Sequence, residues 1–258
     1  MNPTIRAAVT SGLMTLAWAA QAAPQAKPEH TEVWSPEPAR VMPASANRAP
    51  SDAVILFDGQ GVGEWVSSAV VASPAAKPVP WSVADGVLTV RPGSGDIQTK
   101  RSFLDYQLHL EWRVPAGLKA SGQNKGNSGL FLSTGTGNGY EIQVLECAAN
   151  KTYANGQAAS IYKQFTPLVN ACAAEGEWQT YDVIWTAPRF AADGRLESPA
   201  YVTALHNGVL VQNHVALRGE TLYIGEPGYR KHGPAPIKLQ EHGEAVSFRN
   251  IWVRPLDR

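Results

Sequence analysis

Alternation of apolar and polar residues is the sequence feature that most constrains the fold. Residues Tyr106–Val114 read YQLHLEWRV, in which every second residue is apolar or aromatic. Residues Tyr140–Leu145 (YEIQVL) repeat this pattern. Because successive side chains of a β-strand point to opposite faces, a period of two predicts strands that each bury one face. After residue 22, no segment of useful length shows the helical period.

Turn residues separate the predicted strands at short spacing. Asp85-Gly86 and Asn207-Gly208 both suit the tight turn of a β-hairpin. Residues 126–146 predict two further strands around a turn rich in Gly, Thr and Asn. Many short strands of this kind predict an all-β fold, an antiparallel sandwich of two sheets of the jelly-roll type. We expect this domain to span residues 53–258.

The first 52 residues have a different character. Arg6, the apolar run Ala7–Ala20 and the small residues of Ala20-Gln21-Ala22 together predict a signal peptide over residues 1–22. The apolar run is too short to span a membrane. Residues 23–52 contain six prolines and no apolar period, which predicts an arm or linker. We therefore expect an exported protein, periplasmic or secreted, with no membrane span.

Charge and cysteine content narrow the class of protein further. The chain has 22 basic and 22 acidic residues, so it lacks the basic excess that a nucleic-acid backbone requires. Its two cysteines, Cys147 and Cys172, form an even pair in a chain that we expect to be exported. Because the exported environment favours disulfides, we predict a bond between them.

Polar side chains of several types recur on the strand faces that oppose the core. In IKLQEHG, the apolar Ile237 and Leu239 send Lys238, Gln240 and His242 to the other face. The long segment 147–177 has no strand pattern and is expected to wall a cleft, to which it would bring Tyr162 and Lys163. The strand residues that we expect to share this cleft are Glu141, Gln143, Gln240, His242 and Arg249.

Other chemistries find less support in the sequence. Retaining glycosidases on jelly rolls place two carboxylates on one strand, but an offset of five puts Glu141 and Glu146 on opposite faces unless a bulge intervenes. No pair of histidines has metal-ligand spacing, and no nucleophile elbow or phosphate loop is present. We therefore predict no dedicated metal site.

An ordered set of motifs nevertheless resembles a known family. The motifs are LFDG with a following Trp, GNSGLFL, YEIQVLE, GEWQTYDVIW, HNG, IKLQEHG and VSFRNIWVRPL, and they run from Val54 to Leu256. This set resembles the 3-keto-disaccharide hydrolase family. The resemblance implies a concanavalin A-like jelly roll, export and action on 3-keto-glycosides. The positions that match the family motifs are Asn127, Glu141, Gln143, Gln240, His242 and Arg249.

The chemistry that this resemblance implies suits these residues. A ketone at C3 acidifies the C2 proton, so a base can remove it and the enolate can expel the C1 substituent, after which water adds. We expect Glu141 to be the base and His242 the proton donor, with Arg249 and Lys163 near the enolate oxygen. The residues expected to bind the carbohydrate substrate are Asn127, Gln143, Tyr162 and Gln240. No cofactor is required, although a divalent cation could share the enolate role.

Two other functions remain open at this point. The same fold and polar face serve non-catalytic carbohydrate-binding proteins, and a structural or adhesive exported domain is a third reading. An enzyme should gather Glu141, His242 and Arg249 in one cleft. A lectin should instead present exposed Trp or Tyr platforms without a buried carboxylate.

Export is directly testable at the N-terminus. If residues 1–22 are a signal peptide, the first residue of the exported protein is Ala23. N-terminal sequencing of the secreted or periplasmic protein measures this. A cytoplasmic protein that retains Met1 would contradict the prediction.

Overall fold

A computed structural model of the chain describes residues 26–45, 48–68, 78–134 and 137–256. The chain divides into two units, residues 1–40 and 41–258. The described part of the first unit has one short 3-10 helix, Pro28–Thr31, with no buried residue. The predicted signal peptide lies outside the described residues. None of the described helices is long and apolar enough to cross a membrane.

The second unit is almost entirely β-structure. Among the described residues, its loops contain the 3-10 turns Gly122–Asn124 and Ala154–Gly156. In the part of the chain that the structure describes, the strands are β1 (Val54–Phe57), β2 (Trp65–Ser67), β3 (Ser82–Ala84), β4 (Val87–Thr89), β5 (Ile97–Thr99), β6 (Tyr106–Arg113), β7 (Ser128–Phe131), β8 (Glu141–Val144), β9 (Gln179–Thr186), β10 (Arg189–Phe190), β11 (Leu196–Ser198), β12 (Tyr201–His206), β13 (Val209–Ala216), β14 (Lys238–Leu239) and β15 (Ser247–Pro255).

These strands form two antiparallel sheets and a small hairpin. The larger sheet has the order β13-β12-β9-β6-β15-β4-β3, with β1 also paired to β15. The smaller sheet has the order β2-β5-β14-β7-β8, and β10 pairs with β11. Side chains from both sheets, including Leu110 and Trp112 of β6 and Ile142 and Val144 of β8, belong to one buried core. The predicted all-β, jelly-roll sandwich is confirmed.

Local sequence patterns predict most of these strands and turns. Strand β6 alternates buried and partly buried residues along its whole length, as its sequence predicts. Asp85 and Asn207 adopt positive φ values of 51° and 51° at the turns of the β3–β4 and β12–β13 hairpins. Asp and Asn tolerate this left-handed conformation, and a glycine follows each of them, so both predicted tight turns form.

Arg249 does not lie where the sequence analysis placed it. It belongs to β15, which pairs with β6 in the larger sheet, whereas Glu141 and Lys238 belong to the smaller sheet. The outer faces of the two sheets point to opposite sides of the sandwich. The expected approach of Arg249 to Glu141 is therefore wrong, because alternation reports which residues share a face of a strand but not which sheet that strand joins.

The long segment 147–177 lies against the edge of the smaller sheet. The backbone N–H of Gln143 donates to the Ser160 carbonyl at 3.0 Å, and that of Tyr162 donates to the Glu141 carbonyl at 3.1 Å. Ile161 thereby forms an isolated bridge with Ile142. These bonds cover the free edge of β8 and bring Tyr162 to the polar face of the sheet.

The predicted disulfide is present and closes this segment. Cys147 and Cys172 are joined, with their Cα atoms 6.0 Å apart. The side-chain amide of Asn170 also donates to the Cys147 carbonyl at 2.9 Å. The bond thus ties the far end of the segment to the chain that leaves β8.

Replacing both cysteines by alanine should destabilise the fold. A closed loop of 25 residues corresponds to about 3.5 kcal/mol of lost chain entropy in the unfolded state, or about 10 °C in melting temperature for a domain of this size. Thermal unfolding of the double variant measures this. An unchanged melting temperature, together with two freely alkylated thiols in the native protein, would contradict the bond.

Candidate functional site

A cavity of about 410 Å³ lies on the outer face of the smaller sheet. Strands β14, β7 and β8 form its floor, and loops from three parts of the chain form its rim. A volume in this range suits a small carbohydrate. Its lining residues are Asn127, Phe131, Gly137, Asn138, Glu141, Gln143, Tyr162, Thr221, Tyr223, Lys238, Gln240 and His242.

Cross-strand register arranges the floor in two rows. Phe131 pairs with both Lys238 and Glu141, so these three residues form the first row. Gly129 lies at the centre of the second row, because it pairs with Gln143 and accepts the backbone N–H of Gln240 at 3.0 Å. Side chains in one row stand on the same face and within reach of each other.

Gly129 makes room for two of the polar side chains. A Cβ atom at this position would lie 2.6 Å from Oε1 of Glu141 and 3.2 Å from Oε1 of Gln240. Both oxygens therefore occupy the space that any other residue would fill. The glycine allows the carboxylate and the amide to converge above the centre of the sheet.

Glu141 is the buried carboxylate of the site. Only 6% of the residue is exposed. Loss of hydration raises the pKa of its carboxyl to about 8; the nearby Lys238 lowers this pKa and Asp96 raises it, each by less than burial does. A carboxyl in this condition exchanges a proton near neutral pH, as acid–base catalysts do.

Lys238 is held rigidly beside Glu141. Its Nζ lies 2.9 Å from Oδ2 of Asp96 and 3.9 Å from the centroid of the Phe131 ring. The ammonium group therefore has a fixed position between a carboxylate and an aromatic face. Such a fixed positive charge can stabilise an oxygen that becomes anionic.

Amide groups line the other side of the cavity. The side-chain nitrogen of Gln143 donates to Oε1 of Gln123 at 3.1 Å, and that of Asn127 donates to the Gln123 carbonyl at 2.5 Å. These bonds fix both amides and turn their nitrogens toward Gln123. Their carbonyl oxygens have no hydrogen-bond partner among the described residues, so they can accept hydroxyl groups of a ligand.

Three tyrosines and Lys163 build the rim. The hydroxyl groups of Tyr153 and Tyr162 lie 2.6 Å apart, and Nζ of Lys163 donates to the Tyr223 carbonyl at 2.6 Å. This ammonium group also lies 4.2 Å from the centroid of the Tyr223 ring. Burial raises the pKa of the Tyr162 hydroxyl, which keeps it protonated. Lys163 itself does not line the cavity and instead holds two loops together.

The structure brings together most of the residues predicted from the sequence. Asn127, Gln143, Gln240 and His242 line the cavity, as do Glu141 and Tyr162. Lys163 lies at its rim, and Arg249 lies outside it on the larger sheet. The role of each residue stays a prediction.

Sequence reasoning missed Lys238 as a site residue although the signal was present. Its alternation with Leu239 places it on the same face as Gln240 and His242. Asn138, Thr221 and Tyr223 come from irregular loops, where no periodicity marks which side chain reaches the cavity. These three could be found only from the folded chain.

Among the described residues that line the cavity, Glu141 has the one carboxylate. Glu146 lies elsewhere, where its Oε1 accepts the Ala148 N–H at 2.7 Å and its Oε2 lies 3.5 Å from Nζ of Lys125. Among the described residues, converging metal-ligand atoms occur at Cys147, Cys172 and His206, where the two sulfurs are bonded to each other. None of these three residues lines the cavity.

Comparisons with known proteins show what this chain is similar to. A family model described as the 3-keto-alpha-glucoside-1,2-lyase-like domain matches residues 52–254. A crystal structure of a candidate glycosyl hydrolase from Parabacteroides distasonis is 46% identical, covers 89% of this chain and 97% of its own, and has a TM-score of 0.82. A second candidate glycosyl hydrolase from that organism is 19% identical, covers 80% of this chain and 94% of its own, and has a TM-score of 0.58. At this identity, the similarity shows the fold alone. No curated protein matches the chain.

The raised pKa of Glu141 should appear as pH-dependent stability. Between the ordinary pKa of 4.5 and about 8, the folded protein retains a proton that the unfolded chain releases. The stability present below pH 4.5 is therefore lost as the pH rises through about 8. Glu141→Gln removes this loss. The melting temperature of the variant should therefore rise relative to that of the wild type as the pH increases from 5 to 9.

An exposed carboxylate supplies the control for this measurement. Glu64 forms a solvent-exposed ion pair with Arg101, so Glu64→Gln should change stability little. The difference in melting temperature between Glu64→Gln and the wild type should stay nearly constant over the same pH range. If the difference between Glu141→Gln and the wild type is equally constant, the Glu141 carboxyl titrates as it does in water.

Proposed function

This chain belongs to the 3-keto-alpha-glucoside-1,2-lyase-like domain family, and from that premise we propose that it hydrolyses 3-keto-glycosides by elimination and hydration. The family match and the 46% identical relative indicate a glycosyl hydrolase-like, carbohydrate-active domain. One observation supports the specific reaction on 3-keto-glycosides. A buried carboxylate and a fixed ammonium group share one row of a sugar-sized cavity.

The reaction begins with removal of the C2 proton. The Glu141 carboxylate takes this proton, and the electron pair passes to the C3 carbonyl to form an enolate. Lys238, rather than Arg249, supplies the positive charge for the enolate oxygen, because it stands in the same row as Glu141. A base whose pKa is about 8 is strong enough to take the proton and still ionises near neutral pH.

The second half of the reaction breaks the glycosidic bond. The enolate re-forms the C3 ketone, a C1–C2 double bond appears, and the C1–O bond breaks. His242 lines the cavity and donates the proton that the leaving oxygen requires. Water then adds its oxygen to C1 and a proton returns to C2, so the net change is hydrolysis.

The amides and Tyr162 bind the parts of the sugar that do not react. The Gln143 and Asn127 carbonyl oxygens accept hydroxyl protons, while the Gln240 amide lies beside Glu141 above Gly129. Because Gln123 fixes two of these amides before the ligand arrives, little side-chain entropy is lost on binding. Preorganisation of this kind directs binding energy to the reacting centre.

This mechanism needs no second carboxylate, which matches the cavity. Ordinary retaining or inverting hydrolysis uses two carboxyl groups that flank the scissile bond. The lining residues that the structure describes include one, Glu141. We therefore expect turnover of 3-keto-glycosides but not of the unoxidised parent glycosides.

Glu141→Gln should separate catalysis from binding. The amide keeps the shape of the side chain but cannot act as a base, so kcat should fall by about 10² to 10⁴. Steady-state kinetics on a 3-keto-disaccharide measure this, with Glu64→Gln as the matched control that changes an exposed Glu in the same way. Near-full turnover in Glu141→Gln would reject the assigned base. Binding of sugars without any turnover in the wild type would instead identify a lectin.

A further inference from the structure

The larger sheet carries a cavity of its own, on the opposite side of the sandwich. It has a volume of about 1000 Å³ and shares no lining residue with the cavity on the smaller sheet. Its floor consists of outward side chains of β6, β9 and β15. Ala44, Ser45 and Arg48, which precede β1, contribute to one wall.

A connected polar network covers this floor. Nδ1 of His109 lies 2.7 Å from Oδ1 of Asp182, and the Asn250 side-chain nitrogen lies 3.2 Å from Nε2 of His109. The same nitrogen donates to Oε1 of Glu111 at 2.9 Å, and Nε of Arg249 donates to Oε2 of Glu111 at 2.6 Å. The His109 ring is therefore held between Asp182 and Asn250. Five side chains are thus held in one arrangement.

A β-bulge creates this arrangement. Arg249 pairs with Glu111, but Trp252 pairs with His109, so β15 contains one extra residue at this point. Asn250, within the bulge, has a φ of 47°. Bulges and left-handed residues other than glycine cost free energy and concentrate at functional sites. The bulge brings Arg249 and Trp252 to the same face although they are an odd number of residues apart.

Several polar groups in the cavity are left for a ligand. The network uses Nε of Arg249 and Oδ1 of Asp182, while the two terminal nitrogens of Arg249 and Oδ2 of Asp182 have no partner among the described residues. The Gln107 amide is also without a partner in the described part of the chain. Beside these groups lies the partly exposed Trp178 ring, which is held by two guanidinium groups, with its centroid 4.1 Å from that of Arg249 and 4.7 Å from that of Arg113.

We propose that this cavity is a second binding site, for a neutral saccharide of about disaccharide size. The part of the indole that the two arginines leave exposed, next to fixed carboxylate, amide and guanidinium groups, suits a ligand with both apolar C–H groups and hydroxyls. The lining cations, Arg48 and Arg249, do not outnumber the acids Asp58, Glu111 and Asp182, so an anionic ligand is not favoured. The site lies on the other sheet from Glu141 and does not rest on the function proposed above.

Titration of the protein with maltose, cellobiose, lactose and sucrose tests the site. At least one of these sugars should shift the indole N–H resonance of Trp178 in NMR spectra. Trp178→Ala should weaken its binding about tenfold, and Gln107→Ala should weaken it about threefold. Gln240→Ala, in the cavity of the smaller sheet, should leave that shift and its affinity unchanged.

Two results would overturn the proposal. One is that none of the four sugars moves the Trp178 resonance. The other is that Gln240→Ala abolishes all sugar binding while Gln107→Ala has no effect, which would assign every binding event to the smaller sheet. Melting temperatures show whether Trp178→Ala folds. If it does not, the Trp178 NMR shift in the wild type and the affinity of Gln107→Ala test the proposal.

Discussion

The site depends on one costly arrangement, the burial of the Glu141 carboxylate on the outer face of a sheet. A charged group without water is destabilising unless a partner charge or hydrogen bonds compensate it. Lys238 compensates part of this cost, and the pKa of about 8 reflects the remainder. The surrounding features serve this arrangement: Gly129 leaves space for the carboxylate, and segment 147–177 and the loop around Tyr223 exclude solvent from it.

Much of the fold was predictable because it follows from local physical rules. The strict alternation of Tyr106–Arg113 sets the buried face of a strand, and Asn207-Gly208 sets a hairpin. The same alternation correctly grouped Gln240 and His242 with Glu141, because they directly follow β14, which joins the same sheet as β8. The position of Arg249 depends on which distant strand β15 pairs with, and the sequence contains no comparable signal for that pairing. The prediction that Arg249 shares a cleft with Glu141 therefore failed.

Irregular backbone accounts for the other differences between prediction and structure. Tyr162 was expected in the cleft and lies there, but the backbone bonds that carry it across the edge of β8 have no sequence pattern. Lys163 follows it with a φ of 58°, and its side chain lies at the rim, where it binds the Tyr223 carbonyl. The bulge at Asn250 likewise interrupts the alternation of β15, so the predicted faces of that strand hold only as far as Arg249.

The central claim is that Glu141 acts on the C2 proton, and the isotope content of the product tests it most directly. A 3-keto-disaccharide is hydrolysed in D₂O, and the released 3-keto sugar is analysed by mass spectrometry and NMR after the uncatalysed exchange is subtracted. Elimination followed by hydration predicts one deuterium at C2, because the proton removed there is replaced from solvent. A product that retains its original C2 hydrogen, together with an unchanged rate when deuterium replaces the C2 hydrogen of the substrate, would show that the glycosidic bond is cleaved without an enolate, and would contradict this account.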